Sequence, residues 1–310
     1  NMPFLVDSVM QELTDAGIEV RLMVHPILSV VRGMSGRLLS IGDDPDANRE
    51  SFIHIHIVRL PDAIAAAQLE TRLDGLLTEV RAAVDDWPRM QALVKSVINV
   101  YRHTPPPLPP EAVAEAVEFL NWLNADNFTF LGLREYAIGA GGSRDEPTSL
   151  IPTGGYGLLR DPEARVLRRG REMVQVTPEI TEFLRQAEPL IVAKANVKAR
   201  VHRHAYLDYI GVKRYDAHGR LVSEIRLLGL FTASAYTRST HSIPYLRRKV
   251  WTIMARAGFD PESHSGRALR NILESYPRDE LFQVDLVTLL DFSLDILELG
   301  ERPRIRVLTR

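Results

Sequence analysis

Apolar side chains at Phe4, Leu5, Val9 and Leu13 recur at helical spacing over residues 3–16, and Gly17 supplies a stop. Residues 18–31 are rich in β-branched and apolar side chains and predict a strand, bent at Pro26. Glycine, aspartate, serine and proline crowd residues 33–48, which predicts a hairpin connection. Phe52, Ile53, Ile55, Ile57 and Val58 mark the next strand. A long helix then starts at Pro61-Asp62, with Leu69, Leu73, Leu76, Leu77, Val80 and Val84 on its apolar stripe. Helix, strand, strand, helix is the order of a ferredoxin-like unit whose first strand precedes Asn1. A sheet short of that strand leaves an edge open to pairing with another chain.

Five prolines in the seven residues 104–110 make a semi-rigid linker and the clearest boundary. The expected organisation is a first domain over residues 1–103, the linker, and a second domain over residues 111–310. The second pattern begins with a helix over 111–124, a turn at Asp126-Asn127 and a strand over 128–136. Residues 139–157 are glycine-rich and predict loop; Thr177-Pro178 predicts a short helix with a threonine cap. Asp216-Ala217-His218-Gly219 between two β-rich runs, 206–215 and 221–232, is the clearest hairpin. Helices are expected over 243–257, 266–275 and 286–297, and a last strand over 304–309. The fold class is α+β, two domains with antiparallel sheets and a helical C-terminal part.

Composition narrows the chemistry. The chain has 310 residues, 38 basic and 40 acidic, so no single-sign field points to nucleic acid or an anionic membrane. It has no cysteine, which excludes disulfides, thiolate metal sites and cysteine nucleophiles and fits a cytoplasmic protein. No apolar run reaches the roughly 20 residues that span a bilayer, and the first residues carry no signal pattern. The chain starts without Met and enters a helix at once, which reads as a piece of a longer protein.

The short motifs of catalysis are missing. Gly139, Gly141 and Gly142, and again Gly154, Gly155 and Gly157, come nearest to a dinucleotide fingerprint. Both lack the spacing and the following helix that bring a pyrophosphate to backbone amides, and both read as loops. There is no P-loop, nucleophile elbow or metalloprotease helix. His54 and His56 share one strand face; with no third ligand evident, a solvated or subunit-facing surface is preferred to a metal pair. His202 and His204, beside Arg200 and Arg203, read as a solvated strand face, with recognition of an acidic group as the alternative. Lys213, Arg214, Asp208, Tyr209 and Tyr215, with Arg226 on the partner strand, make either cross-strand pairs, the preferred reading, or an anion-binding sheet surface. Arg247-Arg248-Lys249 reads as a solvated helix face rather than a nucleic-acid contact. Residues 276–282, where Pro277 ends one helix and Asp279-Glu280 start another, are either a corner with Phe282 buried or a docking corner.

Longer blocks carry a resemblance. Asn1-Met2-Pro3-Phe4-Leu5-Val6-Asp7-Ser8-Val9 with Val24-His25-Pro26, then Asp208-Tyr209-Ile210-Gly211-Val212-Lys213-Arg214, Gly229-Leu230-Phe231-Thr232, Ile243-Pro244-Tyr245-Leu246-Arg247-Arg248-Lys249, Asn271-Ile272-Leu273-Glu274-Ser275-Tyr276-Pro277-Arg278-Asp279-Glu280-Leu281-Phe282 and Glu301-Arg302-Pro303-Arg304-Ile305-Arg306 run in order along the chain. Together they resemble the N-terminal region of the large bacterial NAD-specific glutamate dehydrogenases. The resemblance implies an ACT-type domain, here without its first strand, followed by a PAS-like domain, with the dehydrogenase domain much further along. It implies a parent that deaminates L-glutamate to 2-oxoglutarate with NAD and a fragment that is non-catalytic, with no cofactor or metal of its own. It further implies amino-acid effectors and a homo-oligomer, and leaves the remaining domains of the same polypeptide as partners. In ACT-type domains the turn into the first helix binds the effector, which here falls on Asn1, Met2, Pro3, Phe4 and Asp7. Helix N-terminal amides suit a ligand carboxylate; the plainer reading makes Asp7 and Ser8 surface residues and Pro3 a good first helical residue.

Overall fold

In the computed structural model, which describes residues 1–42, 47–138, 150–161, 168–169, 172–173 and 187–299, contacts divide the chain into two compact units. The first is Asn1–Trp87 together with Lys198–Ala205; the second is Pro88–Val197 with Tyr206–Arg310.

The first unit opens with α1 (Leu5–Asp15). Phe4 caps it in the left-handed region at φ 69°, so Pro3 lies before the cap and not at the first helical position. Gly17, at φ 68°, ends it: its N–H donates to Thr14 O and that of Ile18 to Leu13 O, both 2.9 Å, satisfying carbonyls the helix leaves open. The strand expected over 18–31 is broken at His25-Pro26 into β1 (Val20–Val24) and β2 (Ile27–Arg32), which join different sheets. Residues 33–48 are more than a hairpin connection. They hold β3 (Leu38–Ile41) and lead into β4 (Asn48–Ser51), and the two flank β2 in the order β3-β2-β4. β5 (His54–Ile57) returns antiparallel to β1, with Met23 opposite Ile55 and Val24 opposite His54. The chain then enters α2 (Ala63–His103), which passes from the first unit to the second at Pro88. Buried apolar side chains of the first unit include Val9, Leu13, Val30, Leu76, Val80 and Ala83, and Ala199 and Val201 of the 198–205 segment.

The second unit centres on a five-stranded sheet ordered β10-β11-β12-β6-β7: Leu190–Lys198, Tyr206–Tyr215, Leu221–Phe231, Phe128–Ile138 and Leu150–Gly157. The proline run connects α2 to α3 (Pro110–Trp122). β7 corrects the expectation of loop there: it pairs antiparallel with β6, Gly155 opposite Arg134 and Gly157 opposite Gly132. A two-residue pair, β8 (Arg168–Arg169) and β9 (Glu172–Met173), stands apart. The hairpin β11–β12 turns where Asp216 Oδ1 accepts from the N–H groups of His218 and Arg220, each 2.9 Å, with Gly219 at φ 74°. Helices α4 (Ala233–Thr237), α5 (Leu246–Ala257), α6 (His264–Ser275), α7 (Arg278–Gln283) and α8 (Leu286–Leu299) follow. One core joins the sheet to these helices: Phe130, Leu133, Ile210, Val212, Ile225 and Leu227 against Phe119, Leu120, Ile253, Leu273, Phe282 and Leu289. The expected features at Gly139–Gly142, Thr177-Pro178 and 304–309 lie outside the described residues.

Candidate functional site

Of the residues proposed for an effector, Asn1, Phe4 and Asp7 contact other protein groups. The Asn1 amino group donates to Arg49 O at 3.2 Å and its Oδ1 accepts from Ser51 Oγ at 2.6 Å. Phe4 stacks on Trp87 at 5.9 Å between centroids and tilts against His202 at 4.8 Å. Pro3 and Asp7 are exposed and Met2 is half-buried; Asp7 lies 3.7 Å from His202 Nδ1. A cavity of about 490 Å³ in the same unit lies at the other end of α1, lined by Ala16, Gly17, Glu19, Arg59, Gln68 and Arg72 among others.

The 198–205 segment is where pattern reading fails. It is not a solvated strand face. His202 has φ 74°, its N–H donates to Ser8 Oγ at 2.9 Å, and His204 Nδ1 meets Asp15 Oδ2. Glu12, 5 % exposed, receives Arg72 on one oxygen at 2.6 Å and Arg200 on the other at 3.1 Å; Arg200 also reaches Glu79 at 2.6 Å. Burial and the nearby Arg203 cation press the His202 imidazolium below its usual range, against Asp7. His54 and His56 share the exposed face of β5, rings 4.7 Å apart. No group of three His, Cys, Asp or Glu side chains able to hold a metal occurs among the described residues.

In the second unit Asp208, Lys213, Glu224 and Arg226 of the hairpin are buried, while Arg214 is partly exposed. Asp208 accepts Lys194 Nζ at 2.6 Å and the Phe231 N–H at 2.9 Å. Arg214 forks onto Glu135 at 2.9 and 3.0 Å, and Arg226 Nε donates to Glu224 Oε2 at 3.0 Å. The Tyr209 hydroxyl donates to the other Glu224 oxygen. The Arg247-Arg248-Lys249 run is likewise not a free cationic face. Arg247 holds Glu115 at 2.8 Å, Arg248 lies 3.9 Å from Glu188, and Lys249 Nζ donates to Leu281 O and Phe282 O at 2.8 and 3.1 Å. Pro277 separates α6 from α7, and Phe282 is buried, 4.7 Å from Phe231 between ring centroids. Gly154, Gly155 and Gly157 belong to β7, not to a strand-to-helix turn, so they do not form a dinucleotide cradle.

Lys213 is fully buried, and burial pushes its ammonium from 10.5 down to about 8, against the opposing pull of Glu188 and Glu224. Between those values the unfolded chain binds the proton and the native chain does not, so stability rises with pH. We expect the unfolding free energy to increase from about pH 8 to about pH 10, and Lys213→Met to flatten that rise. Above that, Tyr215 and Tyr245, each raised by burial to about 12, keep protons the unfolded chain releases and oppose the gain. Urea titrations across this range test the sign; an undiminished rise in Lys213→Met removes the assignment to this lysine.

Two family models match. One, described as glutamate dehydrogenase, ACT1 domain, covers residues 1–73; the other, glutamate dehydrogenase, helical motif 1, covers residues 243–302. They place an ACT-type domain at the start of the chain and a helical motif over α5 to α8. The chain is 39% identical over its whole length to the NAD-specific glutamate dehydrogenase of Halomonas elongata and 35% identical over its whole length to that of Pseudomonas aeruginosa, covering 19% of each. It is 28% identical over 96% of its length to that of Mycobacterium tuberculosis, covering 17% of it. Over its whole length the chain is similar to the large NAD-specific glutamate dehydrogenases and matches their N-terminal region. It spans about a fifth of the length of the curated relatives it matches.

Proposed function

We propose that the chain is a non-catalytic regulatory and assembly segment of an NAD-dependent glutamate dehydrogenase. The parent oxidatively deaminates L-glutamate to 2-oxoglutarate, with NAD held in a domain beyond this segment. The observation that carries the reading is the ACT1 match over residues 1–73, which falls on α1, β1 to β5 and the start of α2. On this reading the first unit senses a free amino acid near Asn1, Met2, Pro3, Phe4 and Asp7. The second unit is a PAS-like platform for the following helices, and the segment works in a cytoplasmic homo-oligomer with the remaining domains of its polypeptide. Sensing of this kind needs an effector that binds two states unequally.

A second reading, a purely structural oligomerisation module, is favoured by exposed apolar side chains on two strands. Leu22, Met23 and Val24 of β1 are 48, 36 and 45 % exposed, and Leu38, Leu39 and Ile41 of β3 are 43, 64 and 60 % exposed. Such strands pair readily with another chain.

Thermal unfolding of the chain against a panel of free amino acids separates the two. Binding to the native state raises the melting temperature by mass action. One amino acid giving a selective, concentration-dependent rise, with no NAD reduction when glutamate is added, is the expected result. A flat response to the whole panel at millimolar concentration sinks the sensor and leaves the assembly module.

A further inference from the structure

One row of residues crosses four strands of the second unit's sheet. Gly211 of β11 stands opposite Arg226 of β12, Arg226 opposite Arg134 of β6, and Arg134 opposite Gly155 of β7. Directly opposed residues project to the same face, so two guanidinium groups lie side by side between two positions that carry no side chain. Like charges in that relation repel, and here water does not screen them: Arg134 is 1 % exposed and Arg226 is 5 % exposed.

Their donors are only partly used. Arg134 Nη2 donates to Leu159 O, and Arg226 Nε donates to Glu224. Arg134 Nε and Nη1 and Arg226 Nη2 are buried and find no hydrogen-bond partner among the described residues. The two Glu224 oxygens accept from Arg226 Nε and from Tyr209, and neither reaches those three nitrogens. Its neighbour across the ladder is another cation, the fully buried Lys213. The Tyr136 ring lies 4.2 Å from the Arg226 guanidinium, so that face of the cation is covered by π density. The glycines matter to this arrangement. A Cβ on Gly155 would stand 2.8 Å from Arg134 Nε, and one on Gly211 would stand 2.5 Å from a Glu224 oxygen. The row thus combines two guanidinium cations, the Glu224 carboxylate and three guanidinium nitrogens without a partner among the described residues. Buried donors left unpaired are costly, and native proteins satisfy them with protein groups, ordered water or a bound ion.

We propose that this row is a binding site for a small oxyanion, a carboxylate or phosphate group received by Arg134 and Arg226. Two oxygens of a carboxylate or phosphate match the guanidinium fork, and their negative charge offsets the two adjacent guanidinium cations. The site is separate from the helix start where an amino-acid effector is proposed, and it stands or falls without that reading.

The test is thermal unfolding of the whole chain with inorganic phosphate or acetate against sodium chloride at matched ionic strength. At least one oxyanion is expected to raise the melting temperature by about 2–4 °C at concentrations roughly tenfold above its Kd. Arg134→Gln and Arg226→Gln should abolish that shift, while Arg220→Gln, which removes an exposed cation at the hairpin turn, should retain it. If the glutamine variants do not fold, Arg134→Lys keeps the charge and loses the fork, and should move the half-effect concentration up about tenfold. A response to phosphate alone assigns a phosphate-bearing ligand; a response to acetate assigns a carboxylate. If neither anion exceeds chloride, or if the shift survives Arg134→Lys unchanged, the row is a structural network and the proposal is overturned.

Discussion

Replacing Glu224 by glutamine is expected to destabilise the second unit by about 3–5 kcal/mol, because it removes one partner of a buried ion pair. Glu224 is fully buried and Arg226 nearly so, leaving no water to take over. The carboxylate accepts from Arg226 Nε and from Tyr209, and it is the anion opposite Lys213 in the ladder. The amide keeps the shape and loses the charge, so the loss reads electrostatics rather than packing. Urea unfolding measures it as a lower midpoint at unchanged slope. A loss below about 1 kcal/mol, the size typical of a solvated pair, would contradict the burial described above.

Phe231→Ala is expected to cost about 3–5 kcal/mol, as large-to-small changes in a closed aromatic core do. The Phe231 ring is 1 % exposed and lies 4.7, 5.4 and 6.0 Å from the rings of Phe282, Phe128 and Trp122. It joins the end of β12 to α7, α3 and β6, so the alanine leaves a cavity that no single element can close. Trp251, 70 % exposed on α5, is the control; its alanine variant should change stability by no more than about 0.5 kcal/mol. Equal losses at the two positions would place the core elsewhere.

Much of this fold is legible in the chain because its causes are local. The α1 face, the α2 stripe and the Asp216–Gly219 turn follow from spacing, from a glycine at positive φ and from an aspartate bonding its own neighbours. The two helices that bracket the first unit's strands emerge for the same reason, whereas the division of those strands into β1 to β5 does not. What escapes the reading has distant causes. β7 looks like loop because Gly154, Gly155 and Gly157 weaken strand propensity. Gly155 and Gly157 are there to admit Arg134 and the Leu131 carbonyl, the latter 2.2 Å from where a Gly157 Cβ would be. Residues 198–205 look like a polar strand because Ser8, Glu12 and Asp15, which fix them, lie nearly two hundred positions earlier. The basic residues Lys213 and Arg226 stand out in the sequence, yet their burial does not. Arg134 has one faint mark, a cation placed in an otherwise apolar stretch, Phe130 to Leu133.

Membership of residues 198–205 in the first unit sets the order in which the nascent chain matures. A ribosome that has released residue 87 has emitted α1, β1 to β5 and half of α2, yet Ser8 and the Arg200-facing oxygen of Glu12 still await their partners. The unit closes only after more than a hundred further residues have emerged, the whole of β6 and β10 among them. Until then Ser8, Glu12 and Asp15 lack those partners on an incomplete body, the state in which chains associate wrongly. Truncation after residue 87 or 103 fixes that transient permanently, so a soluble first unit needs the 198–205 segment supplied, by circular permutation or as a separate peptide.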